Sequence, residues 1–521
     1  AKLIRAIGIF RSRIEGAINL LHARTDSLIS LAGSLMSGEI DASGLHSESD
    51  LSLRGAAFKG EVSLNGAKID GNVDVRGASF EGTLNANGLQ ADDLFMRSVG
   101  KNKANFKDVN LNGAKITGQI NMTGANFDRK LIADFLQVGG SLLMRSEGEN
   151  KASFKDVILN GAKITGTVDI NGASFDGNLD AEILQAGELL MSKASFKGMN
   201  LARAKIDGRI VMTGASFDGT LYAESLQAGG DLFLRDANCA NAVTMIFAHV
   251  GGGLDLRGAT LANLDLSGAS VTGDMALGGR HKPAVWKGKN GEPGNLILRD
   301  ADIGNLMDAN DAWPEKYTDP KNGHLQLDGF TFRHLGGFAG ETGPEMRKRG
   351  MDWWDKWARR DPDYSPAPYA QLSSALTSLG DRDAANEIRY LGRVRERETQ
   401  SGLAWVWSGA LQYVAGFGIG TYTFRVLYWV LGISVLGALY LKTCVQGVRD
   451  ENHGLFWCFG ASLARLLPVV EINRDFKDFF DNPTRATLTG WQSFIFAAMG
   501  IVGWLLAAIL IAAVSGLTQS S

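Results

Sequence analysis

The fold is decided by residues 62–80, which read Val-Ser-Leu-Asn-Gly-Ala-Lys-Ile-Asp-Gly-Asn-Val-Asp-Val-Arg-Gly-Ala-Ser-Phe. Apolar residues alternate with polar ones for only three or four positions before a Gly-Ala pair interrupts them. Alternation with a period of two, broken every five or six residues, indicates very short strands joined by tight corners. A chain of this kind coils into a β-solenoid, in which equivalent residues of successive turns stack about 4.8 Å apart and bury a continuous apolar ladder.

The same pattern recurs along the chain as far as position 280. The string Leu-Asn-Gly-Ala-Lys-Ile begins at Leu64, Leu111 and Leu159, and a weaker copy begins at Leu201. Each of these large repeats contains two phenylalanines one coil apart, as Phe58 and Phe80 are. With roughly 22 residues per coil, residues 50 to 275 predict about ten coils.

These residues resemble the pentapeptide-repeat family. The unit of that family has Leu or Phe at its centre and a small residue, usually Ala, two positions earlier, as in Ala56-Ala-Phe58 and Ala67-Lys-Ile69. The resemblance covers positions 40–275 and implies a four-sided, right-handed β-helix. The central residues here are alternately five and six apart, which departs from the family pattern.

The composition excludes several classes of function. The 53 Lys and Arg residues nearly balance the 56 Asp and Glu residues, and both signs are well mixed along the repeats, so we expect neither a nucleic-acid partner nor mimicry of DNA. Cys239, Cys444 and Cys458 form no CxxC pair and no cluster with histidine, and no nucleotide-binding, metalloprotease or hydrolase motif is present. We therefore expect no enzyme: no catalytic residue, no cofactor and no metal site.

Lysines recur on the repeats, and tryptophans cluster after them. We interpret Lys68, Lys115, Lys163 and Lys205 as part of a solvated face, with a basic stripe for a ligand as the alternative. Residues 345–361 mix tryptophans with cations, which fits either a lipid interface or a segment that closes the open end of the solenoid.

The chain divides into five regions. The domain boundaries that we expect are a helical N-terminal cap over 1–32, the solenoid over 33–280, an irregular solenoid end and linker over 281–343, a helical adaptor over 344–400 with a hairpin at 369–397, and a membrane domain over 401–521. For the cap, a helix on a membrane surface is the alternative.

Two stretches of the last region are long and apolar enough to cross a bilayer. Residues 424–441 contain a single charge, Arg425, and span about 27 Å as a helix, whereas residues 491–514 are uncharged and span about 36 Å. Residues 403–414 are too short to cross and predict an interfacial helix.

The connection between the two spans, 442–490, is far longer than two neighbouring helices need. Its middle, 455–472, is apolar enough to enter a membrane but too short to cross it and return, so it is a candidate re-entrant segment. An amphipathic helix on the outer leaflet is the alternative. The region resembles the two-helix pore of potassium-channel-like proteins, which implies a fourfold assembly with a filter directly after the half-helix.

The filter signature of that family is missing. Residues 467–473 read Leu-Pro-Val-Val-Glu-Ile-Asn and contain no glycine, so potassium selectivity is not supported. If a pore forms, a ring of Glu471 carboxylates is its most obvious cation-selecting feature. The candidate pore-lining residues are Leu467, Val469, Val470, Glu471 and Asn473.

These inferences predict an oligomeric membrane protein, with a tetramer favoured, whose solenoid docks a protein partner and whose membrane domain forms a pore. The alternative is a non-conducting scaffold anchored in the bilayer, or a subunit of a larger membrane complex. The lysines and arginines in the segment between the two spans favour a cytoplasmic location for that segment. No visible segment would export the long part of the chain that precedes the first span, however, so we expect a bacterial-type inner membrane with the solenoid and both termini in the cytoplasm.

Overall fold

The computed structural model describes residues 2–3, 6–279, 282–314, 325–337, 345–467 and 472–514. It contains two compact units, Ala1–Gln371 and Leu372–Ser521. The first unit is a β-solenoid that ends in helical segments, and the second unit is helical. The predicted fold class, a solenoid followed by helices that include two of membrane length, is confirmed.

A typical turn of the solenoid has four short strands, one on each of four faces, and in some turns a longer strand such as Lys163–Asp169 serves two neighbouring faces. In one turn the strands are Leu51–Ser52 on face 2, Ala57–Phe58 on face 3, Val62–Ser63 on face 4 and Lys68–Ile69 on face 1. The described strands pair in parallel with strands of adjacent turns, as Val73 pairs with Leu51. The ladders run from Lys2–Leu3 to Thr331–Leu335 on face 1, from Ile7–Gly8 on face 2, from Arg13–Ile14 to Val285–Trp286 on face 3 and from Ile18–Asn19 to Leu325–Gln326 on face 4.

A column of stacked aromatic rings fills part of the core. Successive rings lie 4.6–5.2 Å apart between centroids and are inclined by only 12–21°. All of these side chains are buried, which confirms the predicted ladder. The rings belong to Phe58, Phe80, Phe106, Phe127, Phe154, Phe175, Phe196 and Phe217.

Two of the four corners of each turn require a left-handed backbone. The front corner joins face 4 to face 1, as at Gly66, and the rear corner joins face 2 to face 3, as at Gly55; both glycines have a φ of 62°. Glycine adopts this conformation without steric cost. The front corner is occupied in successive turns by His22, Gly44, Gly66, Gly88, Gly113, Phe135, Gly161, Ile183, Arg203, Ser225, Phe247, Gly268, Asp300 and Gly329, all with positive φ.

The predicted helical cap over 1–32 is wrong, because the described residues of this stretch form solenoid strands. Ile7, Ile14 and Ile18 pair with residues exactly one turn later, namely Ile29, Met36 and Ile40. Their spacing fits a helix face as well as a solenoid. The observed parallel pairing with the next turn shows that the solenoid is the structure that forms.

The solenoid also extends beyond position 280, into the stretch where the sequence predicts its irregular end. The strands Asn295–Ile297, Asp302–Met307 and Thr331–Leu335 continue the ladders. Ile303 pairs with Val271 of the turn before and with Phe332 of the turn after, so these turns contain more residues than the earlier ones. The longer turns hide the repeat in the sequence, because equivalent residues no longer recur about 22 positions apart.

The tryptophan-rich segment closes the end of the solenoid. Helix α1, Met351–Ala358, buries Trp354 and Trp357, and the Trp357 ring lies 5.4 Å from that of Trp313. Arg349 forms a fully buried ion pair with Asp308, which also accepts a hydrogen bond from the Trp313 indole. Of the two interpretations of this segment, the closing segment is therefore the one that the structure supports.

The remaining helices follow in sequence order. They are α2 Ala367–Ser378, α3 Arg382–Thr399, α4 Gly402–Ala415, α5 Arg425–Cys444, α6 Gln446–Asp450, α7 Leu455–Leu466, α8 Arg474–Asp481, α9 Pro483–Ala486 and α10 Gly490–Val514. Short 3-10 helices cover Met346–Lys348, Gly416–Gly418 and Gly420–Phe424. The hairpin predicted at 369–397 corresponds to α2 and α3, and the predicted spans correspond to α5 and α10.

Candidate functional site

Two helices of the second unit are long and apolar enough to cross a membrane. The candidate spans are Gly420–Cys444, with a mean hydropathy of 1.7, and Gly490–Ile511, with a mean hydropathy of 2.6. In an apolar 18-residue stretch of each segment, only 28% and 22% of the residues are buried inside the chain. A core helix of a water-soluble protein would be mostly buried, so these surfaces need another apolar environment.

The short helix α7 packs along both candidate spans. Cys458 and Ala461 of α7 are fully buried, and Ser462 faces Gly437 of α5 so closely that any Cβ there would overlap its hydroxyl. On the other side, a Cβ at Gly503 of α10 would lie 1.5 Å from the carbonyl oxygen of Leu466. Glycine is required at both positions because α7 approaches the backbone of each span.

Helix α7 runs beside the spans to about half their length. At a rise of about 1.5 Å per residue, Gly503 lies about 18 Å along α10 from Trp491, and α7 itself rises about 17 Å. The Lys442 ammonium near the end of α5 donates a hydrogen bond to the carbonyl of His453, 2.6 Å away, just before α7 begins. Because an apolar bilayer core is about 30 Å thick, the end of α7 at Leu466 would lie near its middle. This geometry fits a re-entrant segment better than an amphipathic helix that lies across the ends of the spans.

The chain comes back beside the first half of α7. The Trp457 indole donates a hydrogen bond to the Asp475 carboxylate, at 2.9 Å, and the Phe476 ring packs on Gly460, where a Cβ would lie only 2.6 Å from it. Gly460 precedes Leu466 by six positions and therefore lies about 9 Å farther out along the helix. Asp475 and Phe476 thus lie beside the first half of α7, although they follow its last residue in the chain.

The structure places two of the five predicted pore-lining residues. Leu467 is half-buried at the end of α7, where its N–H donates to the Leu463 carbonyl at 2.9 Å. Asn473 is exposed and begins α8, with its side-chain oxygen accepting from the Asp475 N–H at 3.0 Å. Val469, Val470 and Glu471 lie outside the described residues.

A cluster of polar and aromatic side chains, the brace, links the start of α7 to the helices that follow it. We define the brace as Glu451, His453, Trp457, Asp475 and Arg485. Arg485 donates to the Glu451 carboxylate at 2.8 and 2.9 Å and to the Asp475 carboxylate at 2.9 Å. His453 contacts Glu451 at 2.7 Å and stacks on Trp457 with the ring centroids 3.6 Å apart. The brace therefore ties the start of α7 to both α8 and α9.

The brace carboxylates are stabilised in their charged form. The hydrogen bond from Arg485 lowers the pKa of Glu451, and that from His453 adds to the effect. The hydrogen bond from Trp457 lowers the pKa of Asp475, with Arg485 as the second cause. Both groups lie outside the two apolar helices, and both carboxylates are charged at neutral pH.

Two features of this region were not found from the sequence. The brace joins residues of positions 451–457 to Asp475 and Arg485, and its members follow no period, so no local pattern indicates them. Arg465 lies on α7, where its guanidinium donates to the Phe496 carbonyl at 3.3 Å and lies 5.6 Å from the Phe480 ring. A cation on an otherwise apolar half-helix is the one signal that could have identified it.

Within the described ranges, no group of three or more His, Cys, Asp or Glu side chains could hold a metal ion. The chain matches no protein-family profile, and no curated protein matches its sequence. Neither the pentapeptide-repeat resemblance nor the channel resemblance is therefore supported by a relative, and the function must be argued from the geometry alone.

Proposed function

We propose that this protein is an integral membrane protein whose helical unit assembles into an oligomeric pore, with a tetramer favoured, and whose solenoid is a docking surface for a protein partner. In this proposal α5 and α10 cross the bilayer, and α7 enters it from one side. It includes no enzymatic activity, no cofactor and no nucleic-acid partner.

The position of α7 carries the proposal. A simple membrane anchor does not require a half-helix that packs on both spans and ends near their midpoint. Two spans alone are enough to hold a domain at a membrane. Backbone that is not helical is tolerated at this depth only where protein or water surrounds it. A pore between subunits supplies such surroundings at Leu467, where α7 has ended.

The pore of this proposal differs from a potassium filter. Because residues 467–473 contain no glycine, the unusual backbone of a carbonyl-lined filter is disfavoured there. Side chains are then the groups that select ions. One Glu471 carboxylate per subunit would form a ring that favours cations.

The same lack of glycine supports the second candidate function. In that reading the helical unit is a non-conducting anchor that displays the solenoid as a scaffold, alone or within a larger complex. The exposed apolar surface of α5 and α10 would then contact lipid or another membrane protein.

Mass measurement in native lipid and recording in planar bilayers separate the two. The pore predicts an oligomer and a conductance whose cation preference falls on Glu471→Gln. Asp478→Asn is the matched control, because Asp478 is an exposed carboxylate of α8 and its loss should leave the selectivity unchanged. A monomer, or electrical silence of a well-folded preparation, would leave only the scaffold.

For the orientation, we propose that the solenoid and both termini face the cytoplasm of a bacterial-type inner membrane. The three cysteines are free, as is usual in a reducing compartment, although only Cys239 belongs to the solenoid. Cys444 is exposed at the connection end of α5. It should react with a membrane-impermeant thiol reagent added outside intact cells, and labelling only after lysis would reverse the orientation.

A further inference from the structure

Three bulky apolar residues occupy the front corner in a conformation that costs energy. Phe135, Ile183 and Phe247 have φ values of 55°, 58° and 55°, where glycine is usual. Their side chains are 67%, 44% and 70% exposed, so they bury little within the chain. Left-handed backbone at bulky residues is rare, and strain of this kind concentrates at functional positions. These three residues, which we name the apolar ridge, therefore need a partner outside the described chain.

The ridge lies along one edge of the rod. Phe135 and Phe247 are five turns apart, a distance of about 24 Å at the spacing of parallel strands. The Phe135 ring folds over the next turn of the corner, where a Cβ at Gly161 would lie 2.9 Å from it. Glycine at that position leaves room for the ring, which gives the ridge a defined surface.

Opposite charges flank Phe135 on the two sides of the ridge. Asp134 precedes it on the side of face 4, while Lys115 and Lys163 lie on face 1, one turn before and one turn after Gln137. Among the described residues, none of these three charges has an oppositely charged partner within 4.0 Å. Partial burial raises the pKa of the Asp134 carboxyl, with the nearby Asp180 charge as a further cause that raises it. A cation from outside would stabilise this carboxylate.

We propose that the apolar ridge is the docking surface for a second copy of this chain, with the two rods side by side and parallel. A two-fold axis parallel to the rods would bring Phe135 against its own copy. It would place Asp134 of each copy opposite the Lys115 and Lys163 side of the other. Around Phe135 the surface is thus self-complementary, as an isologous interface requires.

The parallel arrangement follows from the charges. A two-fold axis perpendicular to the rods would make them antiparallel and would bring the lysines of one copy against the lysines of the other. Like charges in contact disfavour that pairing. Parallel rods are also the arrangement that two copies attached to one membrane can adopt.

The size of the ridge sets the conditions for pairing. A stable interface buries about 800 Å² on each partner, which a ridge about 24 Å long and one corner wide does not reach. Pairing therefore requires the high effective concentration of copies confined to one membrane. The inference rests on the membrane attachment proposed above and not on conduction.

Disulfide cross-linking of the full chain in native membranes tests the inference. In a Cys444→Ser background, Phe135→Cys should give a cross-linked dimer of this chain on mild oxidation. Lys193→Cys is the matched control, because Lys193 is exposed, has a φ of 56° and lies on the rear corner, diagonally opposite the ridge. We expect roughly tenfold more dimer from Phe135→Cys, since only that corner brings the copies together.

Charge reversal tests the geometry independently. In the Phe135→Cys background, Asp134→Lys should lower the cross-linked fraction to the level of the control. Adding Lys115→Asp and Lys163→Asp should restore it. Equal cross-linking from the front and rear corners, an adduct with a different protein, or no response to the charge changes would overturn the inference. Resistance of the chain to carbonate extraction, measured on the same membranes, reports membrane attachment separately.

Discussion

Substituting Gly503 by alanine should displace the half-helix α7. A Cβ at this position would lie 1.5 Å from the carbonyl oxygen of Leu466, whereas a carbon and an oxygen in contact are about 3.3–3.6 Å apart. The two backbones must therefore separate by about 2 Å, because neither atom belongs to a flexible side chain. Overpacking of this kind costs about 1–3 kcal/mol. Gly500→Ala, one turn away on the same helix, is the control, since its Cβ would lie an ordinary 3.6 Å from the Arg465 carbonyl oxygen.

The reactivity of Cys458 reports the displacement. This thiol is fully buried where α7 packs in the second unit, and Cys239 is buried in the solenoid, so a Cys444→Ser background leaves no exposed cysteine among the three. A cost of about 1–3 kcal/mol raises the population of open states about 5-fold to 150-fold, so labelling by a membrane-permeant thiol reagent should accelerate at least about 5-fold in Gly503→Ala. Equal labelling rates in Gly503→Ala, Gly500→Ala and the parent would refute the packing that we describe.

Three further predictions concern the solenoid, and denaturation of the full chain checks each. Phe127→Ala removes one ring from the aromatic column and should lower the stability of the solenoid by about 3–5 kcal/mol, and an unchanged midpoint would contradict the column. Phe135→Gly should instead raise the stability of the solenoid by about 1 kcal/mol. The substitution relieves the strain of the positive φ, and the larger entropy of glycine in the unfolded chain offsets only part of that gain. Burial opposes ionisation of Asp255, but hydrogen bonds from Arg257 and Arg235 outweigh it and lower its pKa below the usual value. A carboxyl with a lowered pKa stabilises the fold above about pH 4, and this stabilisation is lost as the pH falls through the lowered pKa. Asp255→Asn should therefore lose less stability in acid than the parent does. Parallel profiles of stability against pH for the two proteins would contradict this assignment.

The turns of the solenoid could be predicted because their signal is local. An inward residue and its Gly-Ala corner recur within a few positions, and the same string returns at Leu64, Leu111 and Leu159. The two ends of the solenoid were less predictable than its middle. In the first turns the isoleucines also fit a helix, and beyond position 280 the turns lengthen, as the pairing of Val271 with Ile303 shows.

The candidate site was predictable in outline but not in detail. The length and polarity of residues 455–472 favoured either a segment that enters the membrane without crossing it or an amphipathic helix on its surface, and α7 packs along both candidate spans. The glycines that allow α7 to approach the two spans could not be predicted, because Gly437 and Gly503 lie in apolar helices among other small residues. The brace depends on side chains that only the tertiary fold brings together, as with Glu451 and Arg485.

The depth of α7 in a bilayer is the most direct test of the central claim. Single spin labels placed at successive positions of Leu455–Leu466, in the full chain reconstituted in lipid, report depth through their relative accessibility to oxygen and to a water-soluble nickel complex. The account predicts that mean depth increases steadily from the start of α7 and reaches about 15 Å, half of the apolar core, at its end. A mean depth that stays constant along the helix, with only an oscillation at the helical period, would mean that α7 lies on the membrane surface and would contradict the account.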